Sequence, residues 1–406
     1  MMGEKLTMPD RLILCLDGTW NSPFRSIERE DGTQVLKPAN PLKLARAVLP
    51  LDDEGNRQLT YYDSGVGALG LYPGISNRLL HFFDNKLGGA FGAGFEANVE
   101  QATNFIVGNY TPGADIYIFG FSRGAAQARA LTNFLNWLGG IPQKRDAYYV
   151  PVFFRHYLTN RGSGTPKDIV RSDGYVPADH FMPFEVKMLG VWDTVMALGS
   201  RLHASANTSV AERSFHVRAR PAECIRHARQ ALAKDERRYD FRPEIWMDRY
   251  GHQTLEQRWF PGMHAHVGGS YDDDGLANTA LHWIANEASA LGMSLDGAFL
   301  KKYHPFPQDK MKDSYTFGYK ALDAMRLRFG DGARSIEGHP ATATLSLDPS
   351  VIKRLCSDPN KVGTMTKPYR PKDVVKMVAS HRDNWEHFLR SYGFKSPSKF
   401  PFPDDI

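Results

Sequence analysis

The stretch ADIYIFGFSRGAAQARAL, residues 114–131, constrains the fold of this chain more than any other. Residues 115–120 are a short apolar run that reads as a buried strand, and the alanine-rich residues 123–138 have helical spacing. Between them lies Gly120-Phe121-Ser122-Arg123-Gly124, a small hydroxyl residue in a glycine-flanked turn. A chain that passes from a buried strand through a tight turn into a helix is building one unit of a parallel α/β sheet. The same turn can lift a serine hydroxyl clear of the sheet as a nucleophile. The plainer reading is a tight turn that glycine happens to suit. Ala125, Ala126 and Ala128 are small enough to let the helix pack closely behind it.

The rest of the chain repeats this alternation. Strands are expected at residues 11–16 (RLILCL), 58–62 (QLTYY), 184–191 (FEVKMLGV) and 256–260 (EQRWF), and helices at 41–48, 94–109, 221–236 and 276–291. The pattern predicts a mostly parallel sheet with helices on both faces. Three stretches interrupt it: 139–182, 199–220, and nearly everything after Gly292. The first two fall between sheet elements and read as cap insertions. Residues 148–154 of the first carry an aromatic and aliphatic run suited either to a cap or to the core. The third is proline-rich and weakly periodic, and is expected to pack on the main sheet. The chain thus divides into a catalytic region, 1–292, and a C-terminal extension, 293–406.

A serine hydroxyl needs a base, and the base needs an orienting acid. In sheets of this kind they follow in the order Ser, Asp or Glu, His, each just past a strand's carboxyl end, where ligands also bind. Asp193 follows the strand 184–191, and His264 follows the strand 256–260 in WFPGMHAHVGG. His266, two residues on, is the rival base, and a turn aspartate or a loop histidine is the bland alternative at each position. An oxyanion hole needs two N–H donors. Arg123, directly after the serine, supplies one, and the loop LDGTWN supplies the other through Gly18 or Thr19.

Other features carry less. LDGT after the first strand suggests a dehalogenase-type phosphatase, but Cys15 stands where that class has its attacking aspartate. YDDDG, residues 271–275, could hold a cation, though acids before a helix favour its N-terminus anyway. The basic run at residues 213–230 suits phosphates or an anionic membrane, or else a solvated helix face. No metal and no cofactor is expected. The three cysteines, Cys15, Cys224 and Cys356, are too few and too dispersed for a disulfide framework or a zinc cluster. A net charge of +5 permits contact with anionic surfaces without requiring it, and no nucleic acid is expected. The N-terminus lacks the apolar core of a signal peptide and no run is long enough to span a bilayer, so a cytoplasmic location is expected, with export left to a dedicated system.

The motifs RLILCLDGTWN, YYDSGVG, GAGFEANVEQA, IFGFSRGAAQARAL, GVWDTV, ALAKDERR, RWFPGMHAHVGGSY and GLANTALHWI occur in one order. Together they resemble the α/β-hydrolase family that includes the type VI secretion phospholipase effectors of the first Tle class, over residues 11–291. The resemblance implies an α/β-hydrolase fold, with Ser122 as nucleophile, Asp193 as acid and His264 as base. It also implies hydrolysis of phospholipid or other lipid acyl esters, peripheral membrane contact, and an immunity or secretion partner. A soluble-ester or thioester hydrolase, or a silent hydrolase fold serving as a binding module, are the alternatives. The family commonly has aspartate two residues after the histidine, where this chain has His266.

Overall fold

A computed structural model describes residues 10–18, 26–28, 32–65, 88–196, 217–316, 320 and 333–406. Its centre is one seven-stranded sheet in the order β4-β1-β5-β6-β7-β8-β9. The strands are β1 (Arg11–Leu16), β4 (Gln58–Asp63), β5 (Asp115–Phe121), β6 (Val186–Trp192), β7 (Ile225–Ala233), β8 (Thr254–Phe260) and β9 (Leu345–Leu347), and every pairing is parallel. A separate antiparallel ribbon joins β2 (Ser26–Glu28) to β3 (Gln34–Leu36).

The strands read as continuous apolar runs because both faces are covered. Leu12, Leu14 and Leu16 of β1, with Ile116 and Ile118 of β5, face Val99 and Ile106 of the helix Gly88–Asn109 and Leu131 and Phe134 of the helix Arg123–Leu138. The alternate residues Ile13, Cys15, Tyr117 and Phe119 face Leu44 of the helix Asn40–Ala47 and Leu281 and Ile284 of the helix Gly275–Ala290. From β1 the chain goes out to β4 and then crosses to β5 on the other side. Such a reversal of strand order is where open α/β sheets bind their ligands, here at the carboxyl ends of β1 and β5. A parallel sheet wrapped on both faces, with a serine turn after a central strand, is an α/β-hydrolase-like fold.

Three expectations meet the structure differently. Residues 221–236 are not a helix: they contain β7, in the sheet between β6 and β8. IRHARQALA has a helical composition, but burial between two strands overrides propensity. The basic run 213–230 is accordingly no solvated helix face, and its residues 213–216 lie outside the described residues. In the insertion 139–182, Val150, Phe153, Phe154 and Tyr157 of the helix Val150–Thr159 are core residues, with Phe154 edge-on to Phe134 at 5.0 Å between ring centroids. The insertion leaves the end of the helix Arg123–Leu138 remote from Ser122 and returns at the amino end of β6, so these rings cover helices rather than the serine. Of the second insertion, residues 199–216 lie outside the described residues.

The C-terminal extension contributes to the sheet itself. β9 pairs with β8, and a third core cluster joins Leu232 and Trp259 of the sheet to Leu347, Val351, Ile352, Leu355, Trp385 and Leu389.

Candidate active site

Ser122 stands between the last residue of β5 and the first of the helix Arg123–Leu138. Its backbone lies at φ 59° and ψ −122°, a region an L-residue enters only at a cost of about 1–3 kcal/mol. The surroundings enforce it. Its N–H donates to the Trp192 carbonyl at 3.0 Å, extending the β5–β6 ladder to the turn. Gly120 and Gly124 let the backbones meet: a Cβ on Gly124 would lie 2.3 Å from the Leu16 carbonyl oxygen, and one on Gly120 2.4 Å from that of Gly124. The two glycines are therefore required by close approach of β1, β5 and the helix.

Asp193 follows β6 directly, also at positive φ (43°). His264 follows the turn after β8 and opens the short helix His264–Gly268. The His264 Nε2 lies 2.8 Å from Ser122 Oγ, and its Nδ1 lies 2.6 Å from Asp193 Oδ2. The imidazole packs between the rings of Phe121 and Phe241, at 4.7 and 5.0 Å between centroids. All three polar side chains are buried, Asp193 completely. In this geometry His264 can take a proton from the hydroxyl through Nε2 while Asp193 holds Nδ1–H.

Sequence reasoning missed the residue that makes this burial tolerable. Arg334, in the C-terminal extension, grips Asp193 two-pronged, Nη1 donating to Oδ1 at 2.5 Å and Nη2 to Oδ2 at 3.0 Å. The Ala233 N–H adds a 3.0 Å bond to Oδ1. Burial by itself would push the Asp193 carboxyl up; the charge of Arg334, with the hydrogen bond and charge of His264, outweighs it and holds the group at about 2. No local motif marks Arg334, which is 141 residues away from Asp193.

A second missed element is the segment after β7. Glu236 Oε2 accepts the His264 N–H at 3.2 Å, and Asp235 Oδ2 accepts the Gly262 N–H at 2.6 Å. The Lys234 N–H donates to the Phe260 carbonyl at 2.9 Å. Burial pushes Glu236 up, but hydrogen bonds and charge from Arg238 and the charge of Arg334 hold it at about 2. Lys234-Asp235-Glu236 thus clamps the turn that presents His264. The signal for it was ALAKDERR, a motif with no evident chemistry of its own.

The oxyanion candidates divide. Arg123 is the first residue of its helix. The Gly18 N–H donates to Oδ1 of its neighbour Asp17 at 2.7 Å, and Asp17 Oδ2 accepts from the Tyr62 hydroxyl at 2.9 Å. Thr19 lies outside the described residues. His266 faces away from Ser122: its Nδ1 lies 3.0 Å from the Met263 nitrogen and its Nε2 3.1 Å from that of Lys312. In YDDDG, the Asp274 carboxylate meets Lys43 Nζ at 2.8 Å and Asn278 Nδ2 at 3.0 Å. Cys15 is buried in β1, and burial pushes its thiol well up. Among the described residues no group of three His, Cys, Asp or Glu side chains could hold a metal ion, and no helix is long and apolar enough to cross a membrane.

Fold and site together define a hydrolase-type α/β protein with a buried Ser-His-Asp constellation. Residues 10–287 match the family described as the T6SS phospholipase effector Tle1-like catalytic domain, and the chain belongs to that family. An uncharacterised protein of Saccharomyces cerevisiae is 25% identical over 245 residues, 57% of this chain and 32% of that protein, so the chain spans about a third of that relative's length. Among solved structures, an uncharacterised protein from Pseudomonas aeruginosa is similar at 17% identity and a TM-score of 0.40, over 98% of this chain and 60% of that one. The Tle1 effector bound to the VgrG spike of the type 6 secretion system is similar at 14% identity and a TM-score of 0.40, over 83% of each chain.

Proposed function

We propose that this protein is a serine hydrolase that cleaves acyl esters of lipids, phospholipids foremost. Ser122 Oγ attacks the ester carbonyl carbon while His264 Nε2 takes its proton. The tetrahedral intermediate collapses to an acyl-serine as His264 returns the proton to the departing alcohol. Water, deprotonated by His264, then releases the fatty acid and restores the hydroxyl. Asp193 keeps the imidazole in the tautomer with Nδ1 protonated. The N–H of Arg123 binds the oxyanion; the Gly18 N–H is already given to Asp17 Oδ1, which leaves Thr19 as the candidate for the second donor. The reading is carried by the hydrogen-bonded chain from Ser122 through His264 to Asp193, its members drawn from three strand ends. The phospholipid substrate rests on membership of the effector family, as does a secretion partner outside this chain.

A fluorophosphonate probe read by intact mass tests the nucleophile. One adduct is expected on the wild-type chain and none on Ser122→Ala. The same variant should lose at least about 10³-fold in release of fatty acid from mixed phospholipid vesicles, since what survives triad removal is the contribution of the oxyanion hole and binding. A wild-type chain that neither labels nor hydrolyses any lipid overturns the reading and leaves a silent hydrolase fold.

A further inference from the structure

We infer that Arg334 is a positioning residue of the site, a cation from the C-terminal extension that holds the Asp193 carboxylate ionised and fixed in angle so that it can serve His264. The inference rests on the serine-hydrolase reading and goes beyond it, because it adds a fourth member from outside the matched family region, which ends at residue 287.

The geometry is that of a built site. Arg334 is 7% exposed, and both terminal nitrogens of its guanidinium are spent on the site's framework, while Nε is buried without a hydrogen-bond partner. Nη1 donates to Asp193 Oδ1 and, at 2.6 Å, to the Ala233 carbonyl; Nη2 donates to Asp193 Oδ2 and to the Phe241 carbonyl. Ala233 is the last residue of β7, and Phe241 packs edge-on to the His264 ring. One planar side chain therefore ties together the acid, the strand beside it and the ring that flanks the base. Its own backbone is held in turn, since the Arg334 carbonyl accepts from Lys234 Nζ at 2.7 Å, and that ammonium also pairs with Asp373 at 3.1 Å.

A carboxylate offers about four acceptor directions. On Asp193 the two Arg334 nitrogens, the Ala233 N–H and His264 Nδ1 fill them. A carboxylate buried without a cation would take up a proton rather than stay charged. A protonated Asp193 could no longer stabilise the imidazolium formed as Ser122 is deprotonated. The charged groups around Asp193 in the described residues are Arg334 and His264 in direct contact, with Glu236 and Arg238 beyond His264, and Lys234 and Asp373 beyond Arg334. Arg334 is the only permanent cation among these that touches the carboxylate. A lysine cannot replace it: one ammonium cannot reach both oxygens in the plane of a fork.

The test is the pH profile of ester hydrolysis and of fluorophosphonate labelling for wild type, Arg334→Gln and Arg334→Lys, with folding checked by thermal melting. In Arg334→Gln the burial of Asp193 is no longer offset by the guanidinium, and its carboxyl should rise about 3–5 units above the ordinary carboxylate value, as fully buried carboxyls do, so that the acid limb of kcat moves up into the neutral range. The kcat at pH 7 should fall at least tenfold, with KM unchanged and activity recovering toward alkaline pH. A limb unmoved in a folded Arg334→Gln overturns the inference, even if kcat falls at every pH, since that is what a merely structural role would give. Should Arg334→Gln fail to fold, Arg334→Lys carries the test through the same pH profile: an acid limb moved up with KM unchanged supports the role, and a limb left where the wild type has it overturns it. A wild-type chain without labelling or hydrolysis would instead overturn the serine-hydrolase reading, so the two failures are distinct.

Discussion

His264 and His266 stand two residues apart on one short helix, and their surroundings give them different chemistry. His264 is hydrogen-bonded at both nitrogens to side chains of the site. His266 lies on Tyr271, at 4.6 Å between centroids, with a backbone nitrogen at each ring nitrogen. Burial pushes His266 down, and the charges of Arg354 and Lys312 add to this against the opposing pull of Glu236, to about 3. The folded value is therefore below the value of about 6.5 for a free histidine. Under pH 6.5 the unfolded chain gains a proton that the folded chain refuses. The contribution to stability is complete above about pH 6.5 and declines toward pH 3, by at most about 1.4 kcal/mol per pH unit. His266→Gln removes the titration. Other groups titrate here too, notably Asp63, which burial raises to about 6, so the comparison must be a difference. Urea unfolding at pH 7 and pH 5 should show the wild type's advantage over His266→Gln shrinking by about 1–2 kcal/mol on acidification. A difference independent of pH would mean that the ring is protonated freely in the fold.

At the scale of elements, the site depends on how closely β1, β5 and the helix Arg123–Leu138 approach. Gly124→Ala tests this. The new methyl would meet backbone oxygens of Leu16 and Asp17, at 2.3 and 2.5 Å, and neither can rotate away as a side chain would. The helix must shift outward and carry Ser122 off the His264 nitrogen. A loss of about 1–3 kcal/mol in unfolding free energy is expected, with activity falling out of proportion, about 10²-fold, because catalysis tolerates so little misplacement. Activity near wild type in a folded Gly124→Ala would show that the turn has slack. This packing was legible in the sequence, since glycine at both flanks of the serine needs a reason and close approach is the usual one. Asp193 and His264 were legible too, because chain order and strand ends confine where an acid and a base can stand. β7 was not, because alanine, arginine and glutamine favour a helix locally and only neighbouring strands decide otherwise. Nor was Arg334: its role exists only once a distant irregular segment folds back onto the carboxylate.

On the whole-molecule scale, the C-terminal extension is bound to the sheet by three independent means. β9 covers the edge of β8 that would otherwise stand unpaired. Val351, Ile352, Leu355 and Leu389 are fully buried in a cluster with Leu232 and Trp259. Each such aliphatic side chain contributes about 1.5–3 kcal/mol on burial, so four of them match the roughly 5–15 kcal/mol that separates a folded domain from its unfolded state. The third link is Arg334, whose removal leaves the Asp193 carboxyl buried with no cation, a loss of about 3–5 kcal/mol where such pairs have been broken. A chain ending at residue 292 therefore loses edge, core and counter-ion together, although it keeps the serine, the aspartate and the histidine. It should fail to give a cooperative thermal transition or a fluorophosphonate adduct, while the full chain gives both. If residues 1–292 fold and label at the full-length rate, the extension is an appendage and the site is complete without it. If they melt cooperatively but label slowly, and recover toward alkaline pH, the sheet stands alone and the missing piece is the charge on Asp193.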